Sequence, residues 1–177
     1  LKKFLEQMDP LEIPDNLTSF YYTNISIKKK TNQKIKFNND ILHQSKLINY
    51  FNGDYSKSKI ERDINNFLKK IIRNKKYTLS KKDIILLDSL KSDGIKIDKK
   101  YNSLYEIDTS QIPTDIQVMI NNNEKGAALL RIVEVVGQDD LDRIDEDTMY
   151  FIISTLNQLD IDFIRNRILL KVLPLKV

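Results

Sequence analysis

The chain has 177 residues, 41% hydrophobic and 31% charged, which suits one ordinary domain with a substantial core and is too apolar for an unfolded chain. No Cys, no Trp and a single His leave no disulfide, no thiolate nucleophile or soft-metal thiolate site, and few nucleophile–base pairs. The net charge of +4 conceals an asymmetry, because residues 1–100 carry 22 Lys/Arg against 12 Asp/Glu and residues 101–177 carry 7 against 13.

Four Gly and four Pro allow few tight turns, so helices rather than a sandwich or barrel are expected. Residues 1–38 read least regularly. Leu1, Phe4, Leu5 and Met8 begin an amphipathic stretch broken by Pro10 and Pro14, and Asp15 can cap a helix carrying Leu17, Phe20 and Tyr21. A hairpin through Ile25, Ile27, Ile35 and Phe37 is the alternative.

The helical array is expected over 39–177. Asn39 or Asp40 caps a helix with Ile41, Leu42, Leu47, Ile48 and Phe51, ending at Asn52-Gly53. After Ser56, the spacing of Ile60, Ile64, Phe67, Leu68, Ile71 and Ile72 predicts an amphipathic helix. Ser80 and Asp83 form a capping box ahead of Ile84, Ile85, Leu87 and Leu90, and Gly94 closes that helix. Residues 95–111 read as a connection anchored by Tyr101, Leu104 and Tyr105, either a sub-boundary between domains or a long loop within one array.

Four further elements complete the chain. Pro113-Thr114 opens a short helix with Ile116, Met119 and Ile120, and a second follows from Lys125 through Ile132 to Gly137. Asp145 caps a third, with Met149, Tyr150, Ile152, Ile153, Leu156 and Leu159 as its apolar face. Asp160 is expected to cap the last, with Ile161, Ile164, Ile168, Leu169 and Val172 facing inward and Pro174 ending it. The fold class is therefore all-α: antiparallel helical hairpins packed as an irregular bundle or a short α-solenoid. No apolar run reaches the roughly 18 residues of a membrane span, since Arg165, Arg167, Lys171 and Lys176 interrupt the most apolar stretch.

The candidate chemistry is sparse. His43 as a general base has only Asp40 nearby, and packing or capping is its ordinary role. Asp139, Asp140, Asp142, Asp145, Glu146 and Asp147 lack the Gly of a calcium loop and read as helix-terminal acids. Gly53, Gly94, Gly126 and Gly137 stand alone, so there is no phosphate-cradling loop. No catalytic, cofactor-binding or metal residue is assigned, and no cofactor is expected.

Two interaction surfaces remain. The basic set is Lys69, Lys70, Arg73, Lys75, Lys76, Lys81 and Lys82, and Tyr50, Phe51 and Tyr55 form an aromatic cluster that would suit a protein partner if exposed. The expected function is a non-enzymatic scaffold or protein-binding module. The alternative is a nucleic-acid-associated protein using the basic half, which requires those lysines to converge on one face. The excess of Lys over Arg argues against it, because Arg supplies the planar fork that nucleic-acid readers favour.

The runs Gly126-Ala127-Ala128-Leu129-Leu130-Arg131-Ile132-Val133-Glu134, Thr148-Met149-Tyr150-Phe151-Ile152-Ile153, Leu156-Asn157-Gln158-Leu159, Arg165-Asn166 and Leu173-Pro174-Leu175 resemble the C-terminal region of an uncharacterised, mostly helical family of alphaproteobacteria. The resemblance covers chiefly residues 112–177, with echoes at Leu42-His43-Gln44-Ser45 and Leu87 to Gly94. It implies a helical array within a longer bacterial protein and brings no activity. A start at Leu1 fits that expectation, and the compartment, cytoplasm or cell envelope, stays open.

Overall fold

Aliphatic residues recur every third or fourth position after Ser56, and the chain follows that period. Helix α1 (Lys57–Arg73) buries Ile60, Ile64, Leu68 and Ile71 and turns its lysines outward. The computed structural model describes residues 37–74, 77–105, 112–137, 140–141 and 143–174, all within the unit Ile35–Val177. The helices and hairpin expected before Phe37 lie outside the described residues.

Helix α2 (Lys81–Ser92) begins at the expected capping box: the Ser80 hydroxyl accepts from the Asp83 amide at 3.2 Å, and the Asp83 carboxylate accepts from the Ser80 amide at 3.0 Å. Its Ile85, Leu86, Leu87 and Leu90 are fully buried, which places it at the centre of the unit. Gly94 then turns the chain at φ 77°, a conformation that costs a side-chain-bearing residue energy. Tyr101, in a 3-10 turn over Lys99–Leu104, and Tyr105 pack into the same core as Ile95.

Helices α3 (Thr114–Asn121) and α4 (Lys125–Val136) form one hairpin, turned at Asn123 with φ 57°. Of α4 only Ala128 and Ile132 are buried, and Leu130 is 73% exposed. Helix α5 (Glu146–Gln158) starts where the Asp145 carboxylate accepts from the Asp147 and Thr148 amides, each at 3.0 Å. It lies along α2 and pairs with α6 (Asp162–Val172).

All eight elements among the described residues, six α-helices and two 3-10 helices, are helical. Packing of α2 on α5, and of the 3-10 segment Lys46–Asn52 on α6, joins elements far apart in sequence. That closure makes a bundle; solenoid repeats touch only their neighbours.

Two expectations about element ends are corrected. Residues 39–45 form turns rather than a helical start, and the helix after them is the 3-10 segment, capped by the Ser45 hydroxyl and closed at Gly53 with φ 81°. The break lies at Ser45, whose extended backbone (φ −79°, ψ 169°) and hydroxyl cap the 3-10 segment, while the Gln44 and Ser45 amides close short turns onto Ile41 and Leu42; the Leu42 amide, donating to the Tyr77 hydroxyl at 3.2 Å, and the His43 amide, donating to Asp83 at 2.9 Å, hold those turns in place. At α6 the Asp160 side chain is no cap, since Asp160 sits at φ 54° within the turn and Ile161 occupies the cap position. There Arg165 points inward and is fully buried, whereas Ile164 is exposed.

Candidate functional site

The outward face of α1 meets the 3-10 segment across a groove of about 550 Å³. Its walls carry Lys46 from the segment and Lys69, Lys70 and Arg73 from α1, over a floor that includes Leu47 and Phe67. Asp63 is the carboxylate in the wall, and Arg62 approaches it at 3.7 Å. Lys46, Lys69, Lys70 and Arg73 make no ion pair among the described residues. Lys70 and Arg73 in the last turn also complement the negative end of the helix dipole. Lys46, from the opposite wall, has no part in that. A second hollow of about 190 Å³ lies beside Lys69 and Arg73 and reaches Ile72, Lys100 and Tyr101.

The remaining lysines of the basic set part company. Lys81 is ion-paired with Asp147, and Lys82 borders a separate hollow beside Ile144 and Glu146. Lys75 and Lys76 lie outside the described residues. Of the aromatic cluster, Phe51 is buried, and with half-buried Tyr50 and Tyr55 it lines a cleft of about 480 Å³ that also holds Arg165. The Tyr50 and Phe51 rings meet edge to face at 5.7 Å, so they are packed on each other rather than displayed.

Arg165 is the main polar node of the bundle. One terminal nitrogen donates to Asp93 at 2.6 Å and to Asn166 at 2.8 Å, the other donates to Asn157 at 3.1 Å and is ion-paired with Asp162 at 2.9 Å, and Nε donates to Asn166 at 3.0 Å. All three guanidinium nitrogens thus have acceptors, and its central carbon lies 5.9 Å from the Phe51 ring centre. Asn157 also donates to Asp88 at 3.0 Å. Burial pushes the carboxyls of Asp93 and Asp88 up, against the pull of Arg165 and Asn157 respectively. The node ties α2, α5, α6 and the 3-10 segment together.

A second node surrounds Asp83. Its Oδ1 accepts from the His43 amide and from His43 Nδ1, both at 2.9 Å. Its Oδ2 accepts from the Tyr77 hydroxyl at 2.8 Å, the Ser80 amide at 3.0 Å and the Ser80 hydroxyl at 2.9 Å. The partner of His43 is therefore Asp83 and not the exposed Asp40, whose backbone amide donates to the Asn38 side chain. An Asp–His pair is two-thirds of a nucleophile-activating triad, but the Ser80 hydroxyl donates to the carboxylate, and His43 Nε2 faces the Gln44 amide at 3.5 Å. The arrangement joins elements; no nucleophile touches the imidazole among the described residues.

Burial alone would raise the Asp83 carboxyl, yet the hydrogen bonds from His43, Ser80 and Tyr77 outweigh it and hold the group at about 2, against 3.8 for the free side chain. A depressed carboxyl stabilises the fold in its ionised form. We expect that contribution, about 2 kcal/mol, to be complete above roughly pH 4 and to disappear as the pH falls toward 2. Urea unfolding between pH 2 and pH 5 measures it, and the Asp83→Asn variant should lack this part of the acid limb.

Comparison with protein-family models, with curated proteins and with solved structures returns no match. Among the described residues no helix is long and apolar enough to cross a membrane, and no group of three or more His, Asp or Glu side chains is placed to hold a metal ion.

Proposed function

We propose that this chain is a non-enzymatic helical interaction module, part of a larger bacterial protein, whose basic groove receives an acidic segment of a protein partner. The observation that carries this is the uneven fate of the cations. Lys81, Lys100, Arg131 and Arg165 each have a carboxylate partner; Lys82, Lys96, Lys125 and Lys171 lack one among the described residues, as do Lys46, Lys69, Lys70 and Arg73, but only the last four converge on one concavity. Like charges around a concave surface raise the local potential, attract an acidic partner and hasten encounter.

The nucleic-acid alternative asks for one continuous basic face. Its support is weaker here because Lys81 is held by Asp147, Lys82 borders a different hollow, and Arg73 is the single arginine in the groove wall.

The test compares the native-length protein with its Lys69→Glu/Arg73→Glu form as bait in lysate of its own cells, with and without nuclease. The wild type is expected to retain a defined protein set that resists nuclease and weakens with salt, and the charge-reversed form to lose it. Retention that vanishes with nuclease would put nucleic acid in the groove, and retention unchanged by charge reversal would remove the groove from the function.

A further inference from the structure

Lys69 and Arg73 stand one helical turn apart on α1, and both line two hollows. On one side the floor includes Leu47 and Phe67; on the other it is formed by Ile72 and Tyr101. The cations therefore form a ridge with apolar side chains to either side, set among the polar Ser45, Asp63 and Asn66 in the larger groove. Ile72 is 49% exposed, although the same helix buries four other aliphatic side chains.

From this juxtaposition we infer that the partner segment carries an apolar side chain on each side of its carboxylates, so that the surface reads an acidic run flanked by two hydrophobic anchors. The inference rests on the groove being the docking surface proposed above. Charge complementarity selects an acidic occupant, because the unpaired cations of the ridge face solvent. Charge alone gives little grip: an exposed ion pair contributes less than about tenfold in affinity, whereas burying a Leu or Phe side chain contributes roughly ten- to hundredfold.

The ridge also sets a length. It is one helix wide, roughly 10 Å, and extended chain advances about 3.4 Å per residue, so three acidic residues span it and place an anchor in each hollow. The smaller hollow, about 190 Å³, has room for one such side chain.

The experiment measures binding of the full chain to labelled synthetic peptides by fluorescence anisotropy. One peptide has three glutamates between a Leu and a Phe, a second has serines in place of both anchors, and a third keeps the anchors but replaces the glutamates with glutamines. We expect the first to bind at least tenfold more tightly than either of the others. Ile72→Ser, a change at a half-exposed position, should bring the anchored peptide toward the affinity of the serine peptide without altering the latter or the melting temperature by more than a degree or two. Equal binding of the anchored and serine peptides would overturn the inference while leaving the acidic groove in place. Failure of every peptide at low salt would overturn the reading of the groove itself, as would tighter binding of a single-stranded oligonucleotide. Self-association of the chain at low salt that the anchored peptide cannot compete away would assign the surface to a second copy and overturn both.

Discussion

Replacing Arg165 with alanine destabilises the fold by about 3–5 kcal/mol, the range for breaking a buried ion pair from one side. Asp93 and the Asn157 and Asn166 side chains lose a shared donor, Phe51 loses the plane lying against it, and a cavity opens where α2, α5 and α6 meet. Urea unfolding at pH 7 measures the loss. Arg165→Lys should recover little, because one ammonium group cannot reach all the acceptors that the three guanidinium nitrogens now hold. Adding Asp93→Asn to Arg165→Ala should cost less than the two single changes together, since it removes the carboxylate that the first change leaves buried without its partner. A loss under about 1 kcal/mol for the alanine variant would mean that the cleft beside Tyr50 lets water replace the guanidinium.

Asp83→Ala is the second large effect, about 3–4 kcal/mol, for a different reason. Five donors converge on this carboxylate, from His43, Tyr77 and Ser80, and the alanine leaves them without an acceptor. The capping box of α2 is lost in the same step. His43→Ala should cost less, because it removes one donor and leaves the others satisfied. The measurement is again the unfolding free energy at pH 7; equal losses for the two variants would show that the imidazole contact carries most of the node.

Much of the bundle was legible where the information is local. The period of Ile60, Ile64, Leu68 and Ile71, the Ser80–Asp83 box, and Asp145 ahead of Met149 and Tyr150 each rest on residues within a few positions of one another, and each appears in the structure. The failures have local and long-range causes. The 39–45 stretch looks like a helix start, but Ser45 breaks it by capping the 3-10 segment, and Asp160 loses its cap position to a left-handed turn; nothing near His43 announces a partner 40 residues away. Arg165 left a faint trace: with Ile161, Ile168 and Val172 it falls on a stripe spaced four, three and four, an apolar helix face with one charge in it. An arginine is ordinarily solvent-facing, and the acceptors at the end of α2, on α5 and on α6 itself compensate its burial here.

The candidate surface was legible to the same degree. Lys69, Lys70 and Arg73 are neighbours on one helix and could be grouped from the sequence, whereas Lys46 joins them only because the 3-10 segment packs beside α1. Lys81 looked equivalent to Lys69 in the sequence. Its carboxylate partner, Asp147, lies 66 residues away.

The two polar nodes sit at opposite ends of α2 and close chain separations of 40 and 72 residues. Loops of that size cost more entropy to close than a helical turn, so we expect the His43–Asp83 and Arg165–Asp93 contacts to be completed late, after the local helices have formed and together with the packing of α2 on α5, which closes separations as long. Interactions absent from the folding transition state leave the folding rate nearly unchanged and slow unfolding instead. The long-range contacts of Arg165 and Asp83 are therefore expected to act as kinetic fasteners, setting how long the native bundle lasts once formed and with it how seldom a protease meets its open chain.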